Sequence, residues 1–140
     1  MPLLIKDLDN GIGSLIIGSG VITREEYVTV LKKHLTEDLY KFRKYRYNIA
    51  DYTSASRVEV LAEDIRMIAN LSKEAAKLNS EAIVARVAPI DLIFGLSRMA
   101  QVFLDETGWE IMVFRARDEA EAWIRKRAME KFGIENLRFV

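Results

Sequence analysis

Residues 81–115 have the sequence EAIVARVAPIDLIFGLSRMAQVFLDETGWEIMVFR, and this stretch decides the fold. It contains two short apolar runs, at residues 83–85 and 111–114, of the kind that buried parallel strands show. The apolar residues between them recur at helical spacing and form one face: Leu92, Leu96, Met99, Ala100 and Phe103. A strand, a crossover helix and a second strand in one sheet make a right-handed βαβ unit. The stretch therefore predicts an α/β fold built around this unit.

Strand and helix signals continue on both sides of the central unit. Asn10-Gly11 predicts a hairpin, because both residues tolerate the positive φ angles of a tight turn. Thr23 and Glu26 have the spacing of a capping box, which would begin the first helix. The other predicted elements are strands at 3–5, 14–17 and 47–52, a turn at 53–56 and a helix at 61–78. A last helix runs from an Asp118 N-cap to a Gly133 C-cap, and an extended tail at 134–140 could pack on a neighbour or add to a sheet edge. Strands alternating with helices favour an α/β sheet, and the hairpin makes that sheet mixed.

The composition limits the classes of protein to which the chain can belong. A length of 140 residues predicts a single domain over residues 1–140. The 21 basic and 21 acidic residues give no net charge that would draw the whole protein to nucleic acid or to an anionic membrane. The absence of cysteine excludes disulfides and thiolate metal sites. No apolar run is long enough for a membrane span and no signal peptide is evident, so we expect a soluble cytoplasmic protein.

No group of residues has the pattern of a catalytic or metal site. Four glycines between residues 11 and 20 look like a phosphate loop, but no Gly-Lys-Ser/Thr follows them and they flank a strand. His34 is the only histidine, no ligands are spaced around it, and Ser14 and Ser97 lie in no nucleophile-elbow motif. We therefore expect no enzyme activity, no metal and no cofactor. Residues 41–47 interleave aromatic residues with four cations, which could bind nucleic acid, but the rest of the chain is not basic and a solvated segment is favoured.

The loop before the central helix is where a ligand could bind. Asp91 follows the end of a predicted strand, which is the edge where open α/β sheets bind ligands. Asp91 and Arg98 could line a pocket for a polar or anionic ligand. They could equally be a helix N-cap and a surface arginine, and this simpler interpretation is favoured. Gly95 inside the helix costs about 1 kcal/mol relative to alanine, which close packing or room for a ligand would explain.

Four segments together resemble a known family. They are DYT at 51–53, AEDIR at 62–66, VAPIDLIFGLSRM at 87–99 and VFRARDEAEAWI at 113–124. In this respect the chain resembles a bacterial branch of the SpoIIAA-like superfamily, whose members are small proteins related to the STAS domain. The most specific part is Pro-x-Asp-x-x-Phe-Gly-x-x-Arg-Met at residues 89–99.

This resemblance implies a mixed sheet of four or five strands with helices packed against it. It also implies a non-enzymatic regulatory or protein-interaction module, with a protein partner or a second copy in a homodimer. In the anti-sigma-factor antagonists of the superfamily, a partner kinase phosphorylates a serine at a helix N-terminus. Ser54 and Ser56 occupy the corresponding segment here, but no glycine follows them and residues 58–61 replace the start of the helix. We therefore expect a phosphorylation switch at these serines to be reduced or lost.

Other relatives have been compared with CRAL-TRIO-type lipid-binding domains, which gives a second hypothesis. The chain would then be a carrier or sensor that binds an apolar or lipid-like molecule between the sheet and the helix at 91–106. Phe94, Met99, Phe103 and Trp109 would line that pocket. The alternative for most of these side chains is an ordinary place in the core.

Overall fold

The computed structural model describes residues 2–140, which form one mixed sheet of five strands with helices on both faces. The strands are β1 (Leu3–Leu8), β2 (Gly13–Ile22), β3 (Tyr47–Val58), β4 (Ile83–Val87) and β5 (Glu110–Phe114). Their order in the sheet follows the sequence. β1 pairs antiparallel with β2, and every later neighbour pairs in parallel. The predicted α/β fold with a mixed sheet is confirmed.

Four helices cover the two faces of the sheet unequally. They are α1 (Arg24–Thr36), α2 (Ala62–Leu78), α3 (Asp91–Phe103) and α4 (Arg117–Phe132). Crossovers of one hand between strands in sequential order place α1, α2 and α3 side by side on one face. Helix α4 follows the last strand and packs on the other face, mainly against β4. No helix within residues 2–140 is both long and apolar enough to cross a membrane.

The central strand β3 contributes to both cores. Tyr47 and Ile49 face α4, whereas Ala50 and Tyr52 face the three-helix side. This alternation follows from the two-residue repeat of a strand. Because both faces of the sheet are covered, the inner strand β4 is apolar apart from Arg86, as its run in the central unit predicted.

The longest departure from the sequence-based prediction is the end of β3. Residues 53–56 were predicted as a turn, but they continue the strand, and Ser54 pairs with Ser19 of β2. The β2–β3 ladder has two register shifts, between Ile17 and Ser19 and between Gly20 and Val21. These irregularities let both strands run past their predicted ends, because bulges accommodate residues that would otherwise break the pairing.

The predicted helix caps are only partly present. The Thr23 hydroxyl accepts from the Glu26 amide at 3.1 Å, as predicted. The Glu26 carboxylate, however, accepts from the amide of Leu3 at 3.3 Å and so links α1 to β1. Asp91 and Asp118 are not N-caps, because α3 and α4 begin after the extended residues Ile90 and Ala116. A carboxylate is favourable anywhere in the first helical turn, so composition alone does not separate the cap from the residues after it.

The last seven residues pack on their own chain. The Asp9 carboxylate accepts from the amides of Arg138 and Phe139 at 2.9 and 3.1 Å, and the Asp9 amide donates to Val140 at 2.7 Å. Leu137 and Phe139 are buried in the core beneath α4. The predicted extended conformation is wrong, because Asn136 and Phe139 have positive φ angles and the segment is irregular.

Candidate functional site

A partly enclosed cavity lies between the sheet and helices α1 and α2. Its volume is about 70 Å³. Apolar side chains form much of its wall, including Leu31 of α1, Ile68 of α2 and Val84 of β4. A few polar groups converge on the same space. Concave apolar sites with a small number of placed polar groups are the usual form of a small-molecule site.

One end of the cavity is aromatic. The Phe42 ring lies 5.0 Å from the His34 ring, 5.2 Å from the Tyr45 ring and 6.3 Å from the Trp109 ring, measured between centroids. The Trp109 indole donates to the carbonyl of Asn79 at 2.7 Å, which fixes its orientation. Phe42 and Tyr45 belong to the basic stretch 41–47, so the rings of that stretch pack inwards and are not displayed for stacking on bases.

His34 is part of this aromatic end. It is 6% exposed, and its Nδ1 lies 4.0 Å from an Asp38 oxygen. Burial lowers the pKa of His34, and the nearby Asp38 carboxylate only partly opposes this effect. The imidazole is therefore neutral at pH 7 and adds no charge to the cavity.

The other end of the cavity contains Arg86 of β4, whose side chain faces the helices. Its Nε is buried and has no hydrogen-bond partner within residues 2–140. Arg86 also forms no ion pair within residues 2–140. The arginines that do are Arg24, Arg57, Arg115, Arg117 and Arg127. A buried cationic donor without a partner is costly, and it marks this position for a functional explanation.

Two tyrosines accompany Arg86. Tyr27 of α1 and Tyr52 of β3 line the cavity with it, and the same three residues line a second cavity of about 20 Å³ beneath α3. Burial raises the pKa of both phenols, although the positive charge of Arg86 acts in the opposite direction. Both phenols therefore keep their protons at neutral pH and can donate hydrogen bonds. Together the three side chains offer several donors from three different elements.

The residues predicted on α3 lie mostly outside these cavities. Phe94 packs under the Arg115 guanidinium, 4.0 Å from its Cζ, and Phe103 lies 5.1 Å from the Cζ of Arg66. Met99 is half-buried and lines neither of these two cavities. Phe94, Met99 and Phe103 instead pack against the core of the three-helix side. Helix α3 borders the smaller cavity through Ile93, Leu96, Ser97 and Ala100. Of the predicted lining residues, only Trp109 borders the larger cavity.

The polar residues predicted on α3 form no ion pair with each other. Asp91 is exposed and pairs with Arg115 at 2.9 Å, whereas Arg98 is exposed two helical turns further along α3. Gly95 is also exposed, and a Cβ built on it meets no atom within 4 Å. Close packing therefore does not explain this glycine.

Ser54 and Ser56 are exposed residues within β3. Helix α2 begins only at Ala62, with Leu61 before it. Neither serine is thus at a helix N-terminus, where free amides and the helix dipole would favour a phosphate. The geometry on which the antagonist switch depends is absent at these two positions.

Arg86 could have been found from its position in the sequence. It is the one charged residue in the run IVARV at residues 83–87, which is a predicted strand buried on both faces. Charged residues are rarely buried unless they are paired or functional, so such a residue is informative. Its partners Tyr27 and Tyr52 come from distant segments, and only the strand order brings them together.

Comparison with known proteins identifies the fold. No protein-family model matches the chain, and no curated protein matches it significantly. An uncharacterized protein of the DUF3478 family from Shewanella loihica PV-4, solved as a crystal structure and described as having a SpoIIAA-like fold, is similar to this chain with a TM-score of 0.50. The two share 17% sequence identity over 86% of this chain and 90% of the other. At that identity the likeness shows the fold alone. The chain has a SpoIIAA-like α/β fold, as its resemblance to that superfamily predicted.

Proposed function

We propose that the chain is a non-enzymatic binding protein that holds a small molecule in the cavity between the sheet and helices α1 and α2. The observation that carries this proposal is the partly enclosed space of about 70 Å³ with an aromatic end and a polar end. An ordinary core would be packed without such a space. A binding role also agrees with the expectation of a carrier or sensor.

The volume of the cavity limits the size of the ligand. One buried water needs roughly 10–15 Å³, and an engineered apolar cavity of about 150 Å³ binds benzene. A space of about 70 Å³ therefore suits a compact molecule with few heavy atoms. This space is too small for a lipid chain. We therefore propose a small organic molecule as the ligand, in place of the lipid-like molecule that the sequence suggested.

The cavity hydroxyls support binding over catalysis. The Ser72 hydroxyl donates to the carbonyl of Ile68 at 2.9 Å, within its own helix. The Ser14 hydroxyl accepts from the Asn48 side chain at 2.7 Å. A serine nucleophile needs an adjacent base that is free to take its proton. These hydroxyls are instead engaged in structural hydrogen bonds.

A cavity-filling variant tests the proposal. Ser72→Met places a longer apolar side chain into the space, so we expect a higher melting temperature and loss of binding. Binding is measured by NMR titration with acetate and acetamide, following the methyl signals of Leu31, Ile68 and Val84. The control is Lys73→Met, an exposed position on the same helix. Native mass spectrometry of freshly purified protein, which would detect a retained ligand, complements the titration. If neither compound perturbs the cavity methyls in the unmodified protein, the proposal is wrong.

The outer face of α3 supports a second candidate function, self-association. Leu92 and Val102 are 62% and 71% exposed on this helix. With Gly95 and Met99 they occupy positions that are symmetric about residue 97. An antiparallel second copy would place Leu92 opposite Val102, and Met99 opposite the open space at Gly95. This self-complementary spacing favours a second copy of the chain as the partner.

Native mass spectrometry at low micromolar concentration tests self-association. Val102→Glu would put a charge in the proposed interface, so we expect a dimer of the unmodified chain to become a monomer. Met129→Glu is the matched control, because Met129 is also exposed but lies on α4. A monomeric unmodified protein would exclude this candidate, and so would a dimer that both variants leave intact.

A further inference from the structure

The charge of the cavity wall is unbalanced. The residues that line the two cavities include no aspartate and no glutamate. Among residues 2–140, Arg86 is therefore the only charged group in the lining at neutral pH, since His34 is held neutral by burial. A cavity with one cation and no counter-charge attracts an anion.

The donors around this charge suit an oxyanion. The buried Nε of Arg86 has no hydrogen-bond partner among the described residues, 2–140. Tyr27 and Tyr52 border the same space in both cavities. A guanidinium presents its donors in a planar fork that matches the two oxygens of a carboxylate. A single cation balances one negative charge, which favours a monoanion over a phosphate with a higher charge.

We infer that the ligand of this cavity is a small monocarboxylate, whose carboxylate binds the Arg86 guanidinium with hydrogen bonds from Tyr27 and Tyr52. This inference rests on the proposed function and specifies its ligand class. The apolar part of the ligand packs against Leu31, Ile68 and Val84. The small volume restricts that part to a short aliphatic group.

This arrangement has a consequence for the stability of the free protein. In the absence of an anion, Arg86 is a half-buried charge without a partner, which destabilises the fold. Arg86→Met keeps a chain of similar length and removes the charge. We therefore expect this variant to melt at the same temperature as the unmodified protein or higher, and to lose carboxylate binding. A residue with a purely structural role would show the opposite effect on melting.

The experiment compares acetate with acetamide, its neutral counterpart of nearly the same shape. NMR titrations at pH 7 and constant ionic strength follow the cavity methyls and the Nε–H signal of Arg86. A charge-assisted hydrogen bond corresponds to roughly a tenfold or greater difference in affinity. We expect acetate to bind at least that much more tightly, and Arg86→Met to abolish the difference. Arg66→Met is the control, because Arg66 is an exposed arginine of α2 that lines neither of these cavities.

Each outcome distinguishes this inference from the proposed function. Equal binding of both compounds, unchanged in Arg86→Met, would overturn the carboxylate inference and leave the binding function in place. Binding of neither compound would overturn both. Acetate effects that spare the Arg86 signal, or that Arg66→Met removes equally, would show a surface anion effect and also overturn the inference.

Discussion

Two glycines show how much a single methyl group can matter at different places in this fold. A Cβ on Gly13 would overlap the ring of Tyr47, which is fully buried and whose hydroxyl donates to Asp9. The ring therefore has no room to move. We expect Gly13→Ala to lower the free energy of unfolding by about 3 kcal/mol, as overpacking of a core does. Chemical denaturation followed by circular dichroism measures the change.

Gly95→Ala is the matched control for this prediction. Gly95 is exposed in α3, and its Cβ position is open. Alanine should raise the free energy of unfolding by about 1 kcal/mol, because glycine is unfavourable inside a helix. Equal effects of the two substitutions would contradict the packing of Tyr47 against β2.

The single histidine gives the protein a specific pH dependence. Burial lowers the pKa of His34 in the folded state, so the unfolded chain binds a proton more readily. The stability contributed by the neutral imidazole is complete above the unfolded pKa of about 6.5 and decreases as the pH falls towards the folded value. We expect the free energy of unfolding to fall by up to about 1.4 kcal/mol per pH unit as the pH decreases from about 6.5 towards the folded pKa of His34.

His34→Gln isolates this effect, because glutamine does not titrate. The carboxylates with lowered pKa values, such as Asp51, act only near their unfolded pKa of about 4 and below. The variant should therefore have a flat stability profile over the same pH range. A slope that persists in the variant would assign the effect to another group.

At the scale of the elements, a partly buried ion pair with a buried carboxylate joins α4 to the central strand β3. Asp51 of β3 accepts from Arg117 of α4 at 2.8 Å, and from the amide and hydroxyl of Thr53 at 2.9 and 2.7 Å. Burial alone would raise the pKa of Asp51, but these hydrogen bonds and the charge of Arg117 outweigh it and hold the pKa below its usual value. The Asp51 carboxylate is therefore ionised at neutral pH, and Arg117 helps to stabilise its negative charge.

Removing that partner should be costly. We expect Arg117→Met to lower the free energy of unfolding by about 2 kcal/mol at pH 7, because it leaves a buried carboxylate short of a partner. The stability from a lowered carboxyl pKa is lost as the pH falls through the folded pKa, so the difference from the unmodified protein should shrink below about pH 4. Urea denaturation at pH 7 and pH 3.5 measures both values. Arg57→Met is the control, since the Arg57–Glu59 pair is exposed and should change stability by less than about 0.5 kcal/mol.

The elements differ in how well the sequence predicts them. Helix α2 begins within one residue of its predicted start and ends at the predicted residue, because its apolar face is a local pattern of one segment. The end of β3 was missed, because it depends on pairing with β2 across two register shifts. The site was missed for a similar reason. Tyr27, Tyr52 and Arg86 come from α1, β3 and β4, and no local pattern links three separate elements.

At the scale of the whole molecule, the sheet separates two cores with different packing. The three-helix side contains the cavity, whereas the α4 side is closed by the last residues of the chain. Asp9 organises this closure. It accepts from the Tyr47 hydroxyl and from the amides of Arg138 and Phe139, and the Phe139 ring packs edge-on against Tyr47 with centroids 5.6 Å apart. One carboxylate in the hairpin loop thus holds residues 138 and 139 against the sheet.

We expect Asp9→Ala to release residues 138 and 139 from the α4 side of the sheet and to leave the cavity side unchanged. Loss of three hydrogen bonds to one carboxylate should lower the free energy of unfolding by about 2–3 kcal/mol. The amides of Arg138 and Phe139 should then exchange with deuterium much faster, which hydrogen exchange followed by NMR measures. Because the sheet lies between the two cores, the Nε–H signal of Arg86 should keep its position. Asp7→Ala is the control, since Asp7 accepts from Tyr45 at 2.6 Å on the helix side and should not release the last residues. Faster exchange at 138 and 139 in both variants, or a shifted Arg86 signal in Asp9→Ala, would show that the two cores are coupled through the sheet.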